Sequence, residues 1–174
     1  EGRFGPNHMG LWEDKQIEGH KALTKACHDE GAVVIIQLNH TGYGTNPMMG
    51  PSVGPSTLEK HGWDGKPYMT HGFTLDELHD MQKKYVEAAV RAKKAGYDGV
   101  QLHGCHSYLI NQFVSPENNL REDEYGGNGE NRGRRGAHLR KGGEVMSAAE
   151  SRIVRGDAKI YKKIPSVHPL EDIR

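Results

Sequence analysis

Two short runs, Ala32-Val33-Val34-Ile35-Ile36-Gln37-Leu38 and Tyr97-Asp98-Gly99-Val100-Gln101-Leu102-His103, most constrain what this chain can fold into. Each is rich in β-branched or apolar residues, and each ends on polar ones. The first reads as a strand buried on both faces. A helical pattern precedes each run. Over residues 14–30, Ile17, Leu23, Ala26 and Cys27 recur near helical spacing, and Gly31 stands where a helix C-cap would. Before the second run, Thr74 and Glu77 form a capping box. Leu78, Met81, Tyr85, Ala88, Ala89 and Ala92 then share one face, and Gly96 closes the helix. Between Thr41 and Phe73 lies a long loop dense in Gly, Pro, Ser and Thr. The order is therefore helix, strand, loop, helix, strand. Such alternation predicts an α/β fold, with Val33–Leu38 and Gly99–His103 as adjacent parallel strands joined by a right-handed crossover.

Charge separates the end of the chain from the rest. Residues 1–132 hold 13 Lys+Arg against 18 Asp+Glu, a net of −5, and residues 133–174 hold 10 against 5, a net of +5. Beyond Gly133, Gly136, Gly142, Gly143, Gly156, Pro165 and Pro169 interrupt any regular pattern. This predicts a poorly ordered basic tail over 136–174, after a structured part over 1–135. The whole chain carries no net charge, which gives no argument for nucleic-acid or membrane binding. Two distant cysteines, Cys27 and Cys105, form no disulfide framework and suit a reducing, cytoplasmic setting. The opening Glu1-Gly2-Arg3-Phe4 lacks Met, so the chain is expected to begin inside a longer protein or to be processed.

The densest chemistry follows the second strand: His103-Gly104-Cys105-His106-Ser107-Tyr108. In parallel α/β folds the C-terminal ends of strands are where ligands bind. Two imidazoles can polarise a carbonyl or nitro oxygen, and a phenol can deliver a proton beside it. The same residues could instead satisfy loop carbonyls and pack. A His-x-x-His spacing with Cys105 between could also contribute to a zinc site, which needs further converging ligands. Gln37, at the end of the first strand, can offer donor and acceptor to a heterocycle edge. The glycine-rich run 126–129 lacks a phosphate-loop pattern.

Gln37-Leu38-Asn39-His40-Thr41-Gly42 resembles the Gln-Leu-x-His-x-Gly motif of the Old Yellow Enzyme family. Ala95 through Phe113 looks like that family's second motif almost throughout. Ser115-Pro116, Asn119, Arg121, Asp123-Glu124-Tyr125-Gly126-Gly127 and Glu130-Asn131-Arg132 extend the likeness. It covers roughly residues 2–135, and in flavour it is similar to bacterial anaerobic members, including dienoyl-CoA reductase-like and bile-acid-pathway enzymes. The resemblance implies a (β/α)8 TIM barrel, of which this chain would hold about strands 3 and 4 with their helices. It implies FMN as cofactor, NADH or NADPH as reductant, and an activated alkene or enoyl thioester as substrate. Gln37 matches the residue that hydrogen-bonds the flavin's pyrimidine edge. His103 and His106 match the pair that grips the substrate's electron-withdrawing oxygen, and Tyr108 matches the proton donor. Whether the parent enzyme forms homo-oligomers stays open.

Three positions depart from the family's habit. Tyr43 stands where Arg is usual, and Cys105 and Ser107 replace the commoner Ala and Gly. The family's other flavin-contacting strands and its phosphate-binding loops have no counterpart in the resemblance. The chain is thus expected to be an ene-reductase fragment. A non-catalytic remnant without FMN and a zinc-dependent barrel hydrolase are the rival readings.

Overall fold

A computed structural model describes residues 2–45, 50–62, 64–133 and 168–169. The predicted basic tail lies outside the described residues, apart from the two-residue strand at 168–169. The chain divides into two compact units. One comprises Glu1–His8, Asn39–His79 and Gly104–Gly136; the other comprises Met9–Leu38, Asp80–His103 and Ala137–Arg174.

The second of these units carries the parallel pair. Strand β1 (Ile35–Leu38) runs alongside β6 (Gly99–Leu102) in parallel, with Ile35 opposite Gly99 and Gln37 opposite Gln101. A two-residue strand β7 (His168–Pro169) pairs antiparallel with the other edge of β6. The expected adjacency is therefore present, with each strand shorter than its apolar run. Val33 falls outside β1 and is 43% exposed, and Ile35 and Ile36 are half-buried. The expectation of a strand buried on both faces holds for β6 better than for β1. Among the described residues β1 pairs with β6 alone, so one edge and part of one face are uncovered.

Helix α1 (Ile17–Asp29) follows a single turn of 3-10 helix at Asp14–Gln16, three residues later than the pattern suggested. Its end is a Schellman motif: Ala32 N donates to Cys27 O, Gly31 N donates to His28 O, and Gly31 takes φ +75°. Helix α2 (Leu75–Lys94) ends the same way, with Tyr97 N on Ala92 O, Gly96 N on Lys93 O and Gly96 at φ +86°. Its start is the predicted capping box. Thr74 N donates to the Glu77 carboxylate at 2.8 Å, and Glu77 N donates to Thr74 Oγ1 at 3.2 Å. The two helices are tied by Thr24 Oγ1, which donates to the Ala95 carbonyl at 2.6 Å, and by Arg91, paired with Asp14 at 2.8 Å. Buried His20 bridges Tyr97 Oη (2.7 Å) and Gly10 O (3.0 Å), so a core imidazole has both ring nitrogens engaged.

The other unit gives order to the loop over 41–73. A 3-10 turn spans Gly42–Gly44. Strands β2 (Val53–Gly54) and β5 (His71–Gly72) pair in parallel, and β3 (Glu59–His61) and β4 (Pro67–Met69) form an antiparallel hairpin. Buried Tyr43 pins this region. Its hydroxyl accepts from Ser56 N (3.1 Å) and lies within donating distance of Ser56 O (2.9 Å) and Asn118 O (3.1 Å). Arg121 donates to the carbonyls of Pro55 and Phe73 and pairs with Asp123, whose carboxyl it holds below the ordinary range. Helix α3 (Leu109–Val114) buries Leu109, Ile110, Gln112 and Phe113.

Candidate active site

Gln37 lies on the face of β1 opposite Ile36 and Leu38, one residue short of the strand's C-terminal end, and is exposed. Its Nε2 donates to Oε1 of Gln101, the residue in register on β6, at 2.6 Å. That bond fixes the amide's orientation and leaves its Oε1 and second N–H directed elsewhere. Gln101 was not singled out from sequence, although the runs Ile36-Gln37-Leu38 and Val100-Gln101-Leu102 repeat one apolar-Gln-Leu pattern. The register is held just upstream, where Asp98 N donates to Val34 O (2.9 Å) and Val34 N donates to Asp98 Oδ2 (2.8 Å).

His103 follows β6 directly. It is 8% exposed, and its backbone N–H continues the ladder by donating to Leu38 O at 2.9 Å. The sequence pattern placed this residue in the strand itself, and the structure sets it one position beyond.

In the other unit, Cys105 to Tyr108 form a tight turn closed by Tyr108 N on Cys105 O at 3.2 Å. Its central residues, His106 and Ser107, both have left-handed φ, +56° and +57°. Two successive positive φ values are the pattern of a type I′ turn, which Gly, Asn and Asp usually occupy. For non-glycine residues this region costs about 1–2 kcal/mol each. Such backbone persists only when its surroundings hold it, and it concentrates at functional sites.

The turn is braced at several points. Ser107 N donates to Asn111 Oδ1 (3.2 Å), and Leu109 N donates to His40 O (3.0 Å). Cys105 Sγ and His106 Nδ1 lie 3.4 Å apart. His106 is exposed and Tyr108, the residue before α3, is half-buried. His40, the histidine of the first motif, is buried; its Nδ1 accepts from Gly42 N at 3.0 Å, a structural role.

Residues 1–137 match the NADH:flavin oxidoreductase / NADH oxidase family. The chain belongs to this family. Among its relatives is the NADPH dehydrogenase of Clostridium acetobutylicum, 41% identical over 133 residues, which are 76% of this chain and 38% of the relative. Among solved structures, morphinone reductase in complex with tetrahydroNAD aligns with a TM-score of 0.68 at 32% identity, covering 76% of this chain and 41% of that one. The Old Yellow Enzyme homologue from Zymomonas mobilis aligns at 0.67 and 37% identity over the same shares. The chain thus spans about two fifths of the length of these flavin oxidoreductases. Family membership favours a flavin oxidoreductase over the zinc hydrolase among the rival readings.

Proposed function

We propose that this chain is the substrate-facing segment of an FMN-dependent ene reductase built as a (β/α)8 barrel. The observation that carries the reading is the strained turn after β6. It sets two successive left-handed residues, His106 and Ser107, directly before Tyr108 and within four residues of His103. In this reading His103 and His106 donate hydrogen bonds to the electron-withdrawing oxygen of an activated alkene or enoyl thioester. Drawing electron density toward that oxygen makes the β-carbon more electrophilic. Tyr108 gives its phenolic proton to the α-carbon. Gln37 fits the pyrimidine edge of a flavin: an exposed amide, oriented by Gln101, offers one acceptor and one donor side by side. When bound, FMN supplies the hydride, with a nicotinamide as reductant. The relatives' name makes NADPH the first reductant to test.

On their own, these 174 residues are expected to bind FMN weakly. The phosphate contacts of such barrels come from loops after late strands, for which the sequence offers no counterpart. Charge-assisted phosphate contacts are among a cofactor's stronger ones, and each ~1.4 kcal/mol lost is a tenfold rise in Kd. A fluorescence titration of the purified chain with FMN tests this. Weak or absent binding fits the reading. Stoichiometric binding with turnover of an enone would show that the segment holds far more of the site.

A further inference from the structure

Gln112 stands out in α3 as a polar side chain among Leu109, Ile110 and Phe113, and it is 2% exposed. Burying a primary amide is costly unless its donors and acceptor are met. Here they are. Oε1 accepts from Tyr43 N at 3.2 Å, while Nε2 donates to Ser107 O at 2.6 Å and Thr41 O at 3.3 Å. The backbone N–H of the same residue donates to Tyr108 O at 2.8 Å. One residue therefore grips both ends of the peptide stretch that follows the strained pair, and anchors it to Thr41 and Tyr43.

The local sequence makes room for this amide. Gly42 has φ +60°, and a Cβ there would fall 2.2 Å from Gln112 Oε1. The chemistry is also specific to Gln. Glu cannot donate to the two carbonyls, and Leu or Met could fill the volume but do neither job.

We infer that Gln112 is a positioning residue: its amide holds the Cys105–Tyr108 turn in its left-handed form and so fixes where the His106 imidazole and the Tyr108 phenol point. The role as a positioning residue for alkene reduction rests on the function proposed above, whereas the hold on the turn does not. A residue that packs α3 alone would give a different pattern of consequences. Without the Ser107 O contact, the left-handed Ser107 loses the side-chain restraint on its carbonyl, the braces on its N–H side do not hold that carbonyl in place, and the residue relaxes toward ordinary backbone. Glycine at 107 has no Cβ to penalise the left-handed form and should keep the turn without the amide.

The test uses the isotope-labelled full chain and the ring resonances of its His and Tyr residues. Gln112→Leu should shift the His106 and Tyr108 rings and leave those of His20 and Tyr97 in place. Adding Ser107→Gly to Gln112→Leu should return both rings to their wild-type positions. Rings that stay put in Gln112→Leu, or stay displaced in the double variant, overturn the inference. If Gln112→Leu fails to fold, Gly42→Ala attacks the same amide from the other side and must shift the same two rings; unshifted rings there are equally fatal. Because the readout needs neither FMN nor alkene, it separates failure of this inference from failure of the functional reading.

Discussion

Asp98→Ala should loosen the start of β1 at one bond. Asp98 Oδ2 accepts from Val34 N at 2.8 Å and from His28 Nε2 at 2.8 Å. A hydrogen bond to a charged acceptor contributes about 1.5–3 kcal/mol, whereas an exposed ion pair contributes ~0–1 kcal/mol. The Asp98 side chain is 36% exposed, so water replaces part of what is lost. The expected cost of Asp98→Ala is then about 1–2 kcal/mol. At this size that lowers Tm by roughly 2–8 °C. Asp98→Asn keeps an oxygen for Val34 N and should cost about half as much. Thermal unfolding followed by circular dichroism gives the totals. Hydrogen exchange at the Val34 amide gives the local effect, with protection lost in Asp98→Ala and largely kept in Asp98→Asn. Equal losses in both variants, with Val34 still protected, would refute the reasoning and move the weight to the His28 pair.

Two further outcomes test the frame. The Glu77 pKa is lowered from 4.5 to about 2, chiefly by the Thr74 N–H and then by His71. A lowered folded pKa means stability that is present above 4.5 and lost as pH falls toward 2, so Glu77→Gln should flatten the Tm–pH curve across that window; parallel curves would contradict the assignment. Gly96→Ala forces a Cβ into φ +86°, 3.2 Å from Thr24 Oγ1, and should cost roughly 1–2 kcal/mol by urea denaturation; a neutral result would mean that the α2 cap is not built as described.

Helices α1 and α2, their caps and the parallel pair were legible because they are local or periodic, whereas the short helix α3 lay in a stretch that reads as irregular. Gly31 and Gly96 announce Schellman ends, Thr74 and Glu77 announce a start, and the two apolar runs announce strands. The ordered region over 41–73 was not legible. Its strands are two or three residues long, and its order comes from Tyr43 and Arg121 reaching carbonyls many residues away. Local pattern carries no trace of such bonds. At the candidate site, the residue types of His103, His106, Tyr108 and Gln37 could be read from sequence, but the supports could not. Gln101 becomes visible only once the register sets it opposite Gln37. Gln112 becomes visible only when its amide is seen on Ser107 O. The departure of Ser107 from the family's usual glycine gained meaning with its φ of +57°.

The central claim is that Tyr108 delivers a proton in alkene reduction and takes no part in flavin reduction. It is tested most directly in a complete barrel, with this chain's matching segment grafted in place of its counterpart in the Clostridium acetobutylicum relative, 41% identical over 133 residues. Rapid mixing measures the two half-reactions separately, flavin reduction by NADPH and reoxidation by a cyclic enone. Tyr108→Phe should slow reoxidation by roughly 10²-fold or more, the usual worth of a positioned general acid, and leave reduction by NADPH nearly unchanged. Equal slowing of both half-reactions, or of neither, would contradict the account.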